Sequence, residues 1–461
     1  MKAIIPIIDE NSRTPLYLQI YNYIKEAILK NEIAPSEKLP SLRNLSEALG
    51  VSLTTVDLAY SQLDVEGYIH SKPQSGYYVS DIYYSQRHLD DDLNFVPITG
   101  APKIDEPIFH YDLECFDFNK WKKCINRVFT DYPHLLLFES DPQGESILRH
   151  EIAKYVYSSR GVKCTPDQIV IAAGTQQITS HLATILIKMH IHNIAVETPG
   201  YIPVNNIFRD RGFTISHIPV LDDGIAIDKL PANIPSAVYV NPSNQFPTGA
   251  VMPIGKRYKL LDWAQRNSSF IIEDDYDSEL RYFGRPIPSL QGLDTYGRVI
   301  YLGSFSSTLF PSVKISYMVL PDQMTEIFKS IRADYSQTCS KTEQLALAFY
   351  MEDGKYQTHI KKVRRLYSQK LQTVLTILES DAKDFITPIN TSSGINMILS
   401  VKSNKDSKEL ISEANNIGLH IISARAYTEN SDDRSMIFYY NQVPLKDLSN
   451  RVKALIKKWR N

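Results

Sequence analysis

Residues 40–69 read PSLRNLSEALGVSLTTVDLAYSQLDVEGYI. Ser41 is placed to cap a helix whose apolar positions are Leu42, Leu45, Ala48 and Leu49, and Gly50 is placed to stop it. Ser52 is placed to cap a second helix over Leu53–Glu66, with Val56, Ala59, Tyr60 and Leu63 on one side and Gly67 at its end. Upstream, Tyr17, Ile20, Tyr21, Ile24, Ile28 and Leu29 recur at helical spacing, and Ala34-Pro-Ser-Glu-Lys-Leu-Pro40 is a Pro-bounded turn. Downstream, Tyr68–Ser71 and Tyr77–Ser80 are short extended pieces joined by Lys72-Pro-Gln-Ser-Gly76, a hairpin signal. Three helices and a hairpin, with a short turn between the second and third helices, predict a winged helix-turn-helix. Periodicity alone also admits any small α+β domain.

The whole chain has 461 residues, too many for one ordinary core, so at least two domains are expected. Its composition, 43% hydrophobic and 22% charged, is that of a soluble globular protein. The formal net charge of −2 announces neither nucleic acid nor membrane. Four cysteines, Cys115, Cys124, Cys164 and Cys339, form no C-x-x-C pair and match no zinc spacing, so reduced thiols and no metal site are expected. The N-terminal apolar stretch meets Asp9 and Glu10 and is too short and acidic for a signal peptide. No run approaches the ~18 apolar residues of a membrane span, so the expected location is the cytoplasm.

Residues 81–106 carry an acidic triplet, two prolines and no sustained period, and read as a linker. Beyond it, helical stretches alternate with apolar runs at Gln168–Ala173, Asn193–Glu197, Ala237–Asn241, Phe270–Glu273, Val299–Gly303 and Ile315–Leu320. Such alternation predicts a mostly parallel sheet wrapped by helices, with a smaller α+β lobe from about Thr373.

The segment 14–80 resembles the DNA-reading domain of the GntR family. The resemblance implies that Arg43 and the caps Ser41 and Ser52 touch phosphates, that Ser52, Thr54 and Thr55 open the recognition helix toward base edges, and that Gly76 sits at the wing tip with Lys72 beside it. Two departures stand out. The family usually has arginine after the capping serine, where this chain has Leu53. Residues 1–80 also hold seven Lys/Arg against nine Asp/Glu, a weak electrostatic footprint that predicts modest nonspecific affinity.

Residues 107–461 resemble fold-type I aminotransferases, and specifically the MocR-type regulators that join such a domain to a GntR reader. The likeness is carried by Asp141-Pro-Gln-Gly144 with Leu148-Arg149, Ala173-Gly-Thr-Gln-Gln177, Glu197-Thr-Pro-Gly-Tyr201, Asn241-Pro-Ser-Asn-Gln-Phe-Pro-Thr-Gly249 and Ile272-Glu-Asp-Asp-Tyr-Asp-Ser-Glu279, in that order. It implies an α/β fold with a large mostly parallel sheet, a homodimer, and a site for pyridoxal phosphate. In that site Gly174, Thr175 and Gln176 would form a phosphate turn, Tyr201 would lie against the pyridine ring, Asn244 would contact the phenolic oxygen, and Asp274, followed by Tyr276, would pair with the ring nitrogen. Ser304, Ser306 and Lys314 would complete the phosphate end.

The family pattern after Val299–Gly303 places a Ser/Thr, then two residues, then a lysine, and this chain has Ser304 followed by Ser307 there. A hydroxyl cannot form an imine with an aldehyde, nor act as the base that moves the proton in transamination. Lys314 stands where the family has a phosphate-binding arginine, keeping the charge but losing the bidentate fork. Gln442 is read as standing in place of the arginine that grips an amino acid's carboxylate. The expectation is a transcription regulator that binds operator DNA and senses a small effector, pyridoxal phosphate held noncovalently or another ligand, without transamination. An aminotransferase with an attached DNA domain, and a cofactor-free scaffold answering to a protein partner, remain open at the level of sequence.

Overall fold

A computed structural model describes residues 8–9, 12, 14–81, 112–282, 287–427 and 434–460. The chain divides into two compact units, Met1–Ile104 and Asp105–Asn461. The expected linker, 81–106, lies outside the described residues except for Asp81.

In the first unit, helices α1 (Leu16–Leu29), α2 (Leu42–Leu49) and α3 (Leu53–Val65) precede a hairpin of β1 (Ile69–Lys72) and β2 (Gly76–Val79). Ser41 and Ser52 cap α2 and α3 by accepting the N–H groups of Asn44 and Thr55, each at 3.2 Å. Gly50 ends α2 at φ +67°, left-handed backbone that costs glycine nothing. Ile20 and Ile24 of α1 and Val56, Ala59, Tyr60 and Leu63 of α3 are buried in one core with Ile69 and Val79 of the hairpin. Two expectations shift. Ala48 is exposed, because α2 is short and turns mainly Leu45 inward. Gly76 pairs with Lys72 at the base of the turn, so the wing tip is Pro73–Ser75, with Gln74 at φ +61°. Leu63→Ala would remove a fully buried side chain and cost about 2–4 kcal/mol, read from urea unfolding followed in this unit.

The second unit is built on β3 (Ile169–Ala173), β4 (Asn193–Thr198), β5 (Thr214–Leu221), β6 (Gly224–Ile225), β7 (Ala237–Val240), β8 (Phe270–Asp274), β9 (Val299–Ser304) and β10 (Ile315–Val319). They form one sheet in the order β3-β10-β9-β8-β7-β4-β5-β6. The block from β9 to β5 is parallel; β10 runs antiparallel to both β3 and β9, and β6 antiparallel to β5. All six apolar runs are strands. Around the sheet lie α4 (Phe118–Asp131), α5 (Ser146–Arg160), α6 (Gly174–Lys188), α7 (Ile202–Asp210), α8 (Ile254–Arg266), α9 (Leu290–Leu293), α10 (Asp322–Ile331) and α11 (Lys341–Glu352). Their apolar sides bury the sheet: Leu182 and Leu186 of α6 pack with Ile272 and Ile300, while Leu260 and Ala264 of α8 pack with Val238 and Ile271.

The turn before α5 is locked to β3. Gln143 Nε2 donates to Ile169 O at 2.9 Å, and Arg149 Nε donates to Gly144 O at 3.0 Å. Gly144 has φ +102°, and a Cβ there would fall 2.6 Å from Ile171 Cβ. Gly144→Ala should therefore cost about 2 kcal/mol through strain and overpacking, seen as a lower denaturation midpoint.

The smaller lobe does not begin at Thr373, which lies inside the 27-residue helix α12 (Lys355–Asp381). That helix spans the junction, and its residues from Val363 onward already pack into the lobe core. The lobe sheet is antiparallel, β11-β12-β14-β13, made of β11 (Ile386–Ile389), β12 (Met397–Val401), β13 (Ile421–Ser423) and β14 (Ser435–Phe438). Helices α13 (Ser407–Asn415) and α14 (Leu445–Arg460) close it. No helix among the described residues is long and apolar enough to cross a membrane.

Candidate ligand cavity and nucleic-acid interface

A parallel sheet gathers its loops at the carboxyl ends of its strands, where each loop can present side chains to one space. A cavity of about 450 Å³ lies there. Ala173 ends β3, Asn241 follows β7, Asp274 ends β8, Ser304 ends β9, and Lys314 stands just before the reversed strand β10. All five line the cavity.

At one side, α6 begins at Gly174 without a side-chain cap, so its first N–H groups are open to an anion. Lys314, held at φ +49°, runs beside it: a Cβ on Gly174 would sit 3.9 Å from Lys314 Cδ. Ser304 Oγ accepts from Ser316 Oγ at 3.0 Å and from the Ser306 N–H at 3.3 Å, which fixes the two cavity serines relative to each other.

The strand β8 and its loop carry an acidic series, and each member has a different partner. Asp275 meets Arg160 Nε at 2.7 Å and the Tyr301 hydroxyl at 2.7 Å. Burial pushes its pKa up, but the Arg160 charge and the donors around it outweigh that and hold it below the usual carboxylate range. Glu273 accepts the N–H groups of Leu290 and Gln291 at the start of α9, at 2.8 and 2.9 Å. Asp277 accepts from Asn244 Nδ2 at 2.7 Å. Asp274 alone of the series lines the cavity. It accepts from the Tyr239 hydroxyl and has no basic partner among the described ion pairs. Burial lifts its pKa to about 6, opposed by the Tyr239 hydrogen bond. A buried carboxylate facing open space is suited to a ligand's positive N–H.

Glu197, beneath Asn241, has its pKa raised to about 7 by burial, as does Glu279, whose carboxylate accepts from Tyr155 at 2.6 Å. Acids with raised folded-state values bind more protons folded than unfolded, so stability falls as pH rises through that range. His181 and His359 are lowered from 6.5 by burial, which works oppositely once the unfolded histidines protonate. Denaturation midpoints should therefore climb as pH falls from 8 toward about 6.5, by roughly 1–2 kcal/mol, with the histidines opposing the rise below that. A midpoint that rose monotonically with pH would contradict these protonation states.

In the first unit, Arg43, Ser41, Ser52 and Thr54 are all exposed around the starts of α2 and α3. Leu53 is 46% exposed at the first turn of α3. Lys72 Nζ sits 4.4 Å from the centre of the Tyr78 ring, so the wing's cation is held against the hairpin.

Residues 16–79 match the gntR family of bacterial regulatory proteins, and residues 116–432 match aminotransferase class I and II. This chain belongs to the regulators that join a GntR reader to an aminotransferase domain. Among its relatives, the uncharacterized HTH-type transcriptional regulator YdeL of Bacillus subtilis is 38% identical, covering 99% of both chains. The probable rhizopine catabolism regulatory protein MocR of Rhizobium meliloti is 32% identical, covering 85% of this chain and 83% of its own. The pyridoxine biosynthesis regulator PdxR of Corynebacterium glutamicum is 30% identical over 85% of each. In fold, the second unit is like a kynurenine aminotransferase of Pyrococcus horikoshii, with TM-score 0.65, 22% identity, and coverage of 76% of this chain and 89% of that one.

For this GntR–aminotransferase chain, the cavity collects most of the site residues named from sequence: Gly174, Thr175, Gln176, Tyr201, Asp274, Tyr276, Ser304, Ser306, Ser307 and Lys314. Two expectations are corrected. Asn244 does not line it; Asn241 does. Asn241 directly follows β7 at the sheet's open end, whereas Asn244 lies on the turn beyond, buried between Asp277 and Ser393. Gln442 is not among the lining residues either, because it sits past β14 with its Oε1 3.1 Å from His420 Nδ1. In the reader, Thr55 is less available than expected: its hydroxyl lies 2.8 Å from Ser52 Oγ. Sequence reading missed Phe246, Ile395, Asn396, Tyr427 and Tyr439. An Asn-Pro pair at a strand end could have flagged Asn241; the lobe residues carry no local signal.

Proposed function

We propose that this chain is a cytoplasmic, DNA-binding transcription regulator whose aminotransferase-like domain senses a small anionic effector and does not transaminate. Ser307 carries the reading: it lines the cavity, and its hydroxyl donates to the Tyr276 carbonyl. In the resemblance-based reading, Ser307 stands where the family's lysine would be, so the position supplies no amine and no base.

The residues present fit pyridoxal phosphate. The uncapped start of α6, Lys314, Ser304 and Ser306 would hold a phosphate dianion. Asp274 would take the protonated ring nitrogen, and Tyr201 would lie against the ring. When bound in a competent enzyme, this aldehyde supplies an electron sink for bonds to an amino acid's α-carbon. Here Lys314 would be engaged at the phosphate end, and Ser307 would offer the aldehyde a hydroxyl that forms no imine. An effector acts only through unequal affinity for two arrangements of the regulator. We take the working form to be a homodimer reading two half-sites, which offsets the weak positive charge of each reader.

The test is equilibrium dialysis with pyridoxal phosphate, followed by borohydride treatment, together with footprinting upstream of the protein's own gene. Saturable binding, no peptide labelled in the cavity after reduction, and a protected site that changes with effector are expected. Amino-group exchange with an amino acid, or no protected site at low salt, would refute it. Within the footprint, Thr54→Ala should relax sequence preference by about 1–3 kcal/mol per lost base contact. Arg43→Ala should instead weaken binding to all sequences alike, since a phosphate contact carries no sequence information.

A further inference from the structure

The cavity is two-sided. Following the sheet order, Gly174, Lys314 and Ser304 belong to the β3-β10-β9 side, whereas Tyr201 and Phe246 come from the loops after β4 and β7. Those two strands lie three and two places from β9, roughly 10–15 Å across the sheet. The second side is aromatic. Phe246 meets Tyr427 edge-on at 4.8 Å between ring centres and Tyr201 at 6.5 Å. Tyr427 and Tyr439 pack with Phe246 against a buried apolar cluster that includes Ile398 and Ile437. Lys314 is the single Lys or Arg among the described lining residues, and it belongs to the opposite side.

A carboxylate brought to the aromatic side would leave water for rings and aliphatic groups, with neutral hydroxyls and the Asn396 amide as its available donors. An uncharged hydrocarbon or aromatic group would instead bury apolar surface there at no such cost. We infer that the effector has a phosphate at one end and an apolar or aromatic group, with no carboxylate, at the other. This rests on the sensing role proposed above and goes beyond it by excluding amino-acid adducts as the preferred occupant.

Two reduced adducts that differ only in the carboxylate test it: phosphopyridoxyl-L-leucine and phosphopyridoxyl-isoamylamine. Binding of each to the full chain is measured by calorimetry, with no turnover involved. The isoamylamine adduct should bind at least tenfold tighter. Equal affinity, or preference for the leucine adduct, overturns the inference while leaving the sensing role standing. Failure of both adducts and of pyridoxal phosphate to bind overturns both. Tyr427→Arg, checked for folding by its melting curve, should shrink the preference at least tenfold by placing a cation beside Phe246. An unchanged preference in a folded variant would show that the tail does not lie on this side, and would overturn the assignment.

Discussion

Ser307→Lys should give the cavity a covalent attachment point for pyridoxal phosphate. The serine is already inside the cavity, on the turn after β9, with Asp274 and Tyr276 lining the same space. A lysine there would lose the hydroxyl's bond to the Tyr276 carbonyl, a cost of about 1 kcal/mol, and place a primary amine where pyridoxal phosphate would present its aldehyde. Condensation joins the amine nitrogen to the aldehyde carbon and releases water, and borohydride then fixes the bond by reducing it. After reduction and digestion, mass spectrometry should find the phosphopyridoxyl group on the peptide that spans position 307 in the variant, close to one per chain. The corresponding wild-type peptide should carry none. Equal labelling of both proteins at lysines elsewhere, with nothing at 307, would mean that the cavity does not orient the aldehyde toward this turn.

The second large effect concerns stability. Arg160→Ala should destabilise the second unit by about 3–5 kcal/mol, because it leaves a buried carboxylate without its counter-charge. Arg160 donates to both oxygens of Asp275, at 2.7 and 3.3 Å, to Ser243 Oγ at 2.8 Å and to Ile287 O at 3.0 Å. The two side chains are 6% and 0% exposed. Without the guanidinium, Asp275 keeps Tyr301 and Ser278 as donors but faces the charge of Glu279 nearby. Removing both charges in Arg160→Met with Asp275→Asn should recover a substantial part of the loss, since the penalty comes from the orphaned charge. Urea denaturation followed by tryptophan fluorescence measures both; a double variant as unstable as the single one would place the cost in packing instead.

Several features needed no tertiary information. Capping serines, stop glycines and helical spacing were enough for α2 and α3, since caps and periodicity act within a few residues. The six apolar runs became strands because a strand covered on both faces has nowhere to put polar groups. By contrast, β5 (Thr214–Leu221) went unread: it is half exposed, mixes polar and apolar residues without strict alternation, and carries His217 and Pro219, so it lacks the continuous signal of its neighbours. The lobe boundary failed for a related reason, as α12 runs without a break through the junction.

Sequence by itself determined the two-part architecture, the reader's helices and which loops reach the open end of the sheet, because local backbone preferences and burial patterns are written in neighbouring residues. Only the tertiary structure decided that Asn241 rather than Asn244 faces the cavity, that Gln442 lies outside its lining, and that Phe246, Tyr427 and Tyr439 make an aromatic wall. Those three rings come from segments up to 193 positions apart. Contacts between such distant segments depend on how the sheet and the lobe pack, which no local pattern encodes.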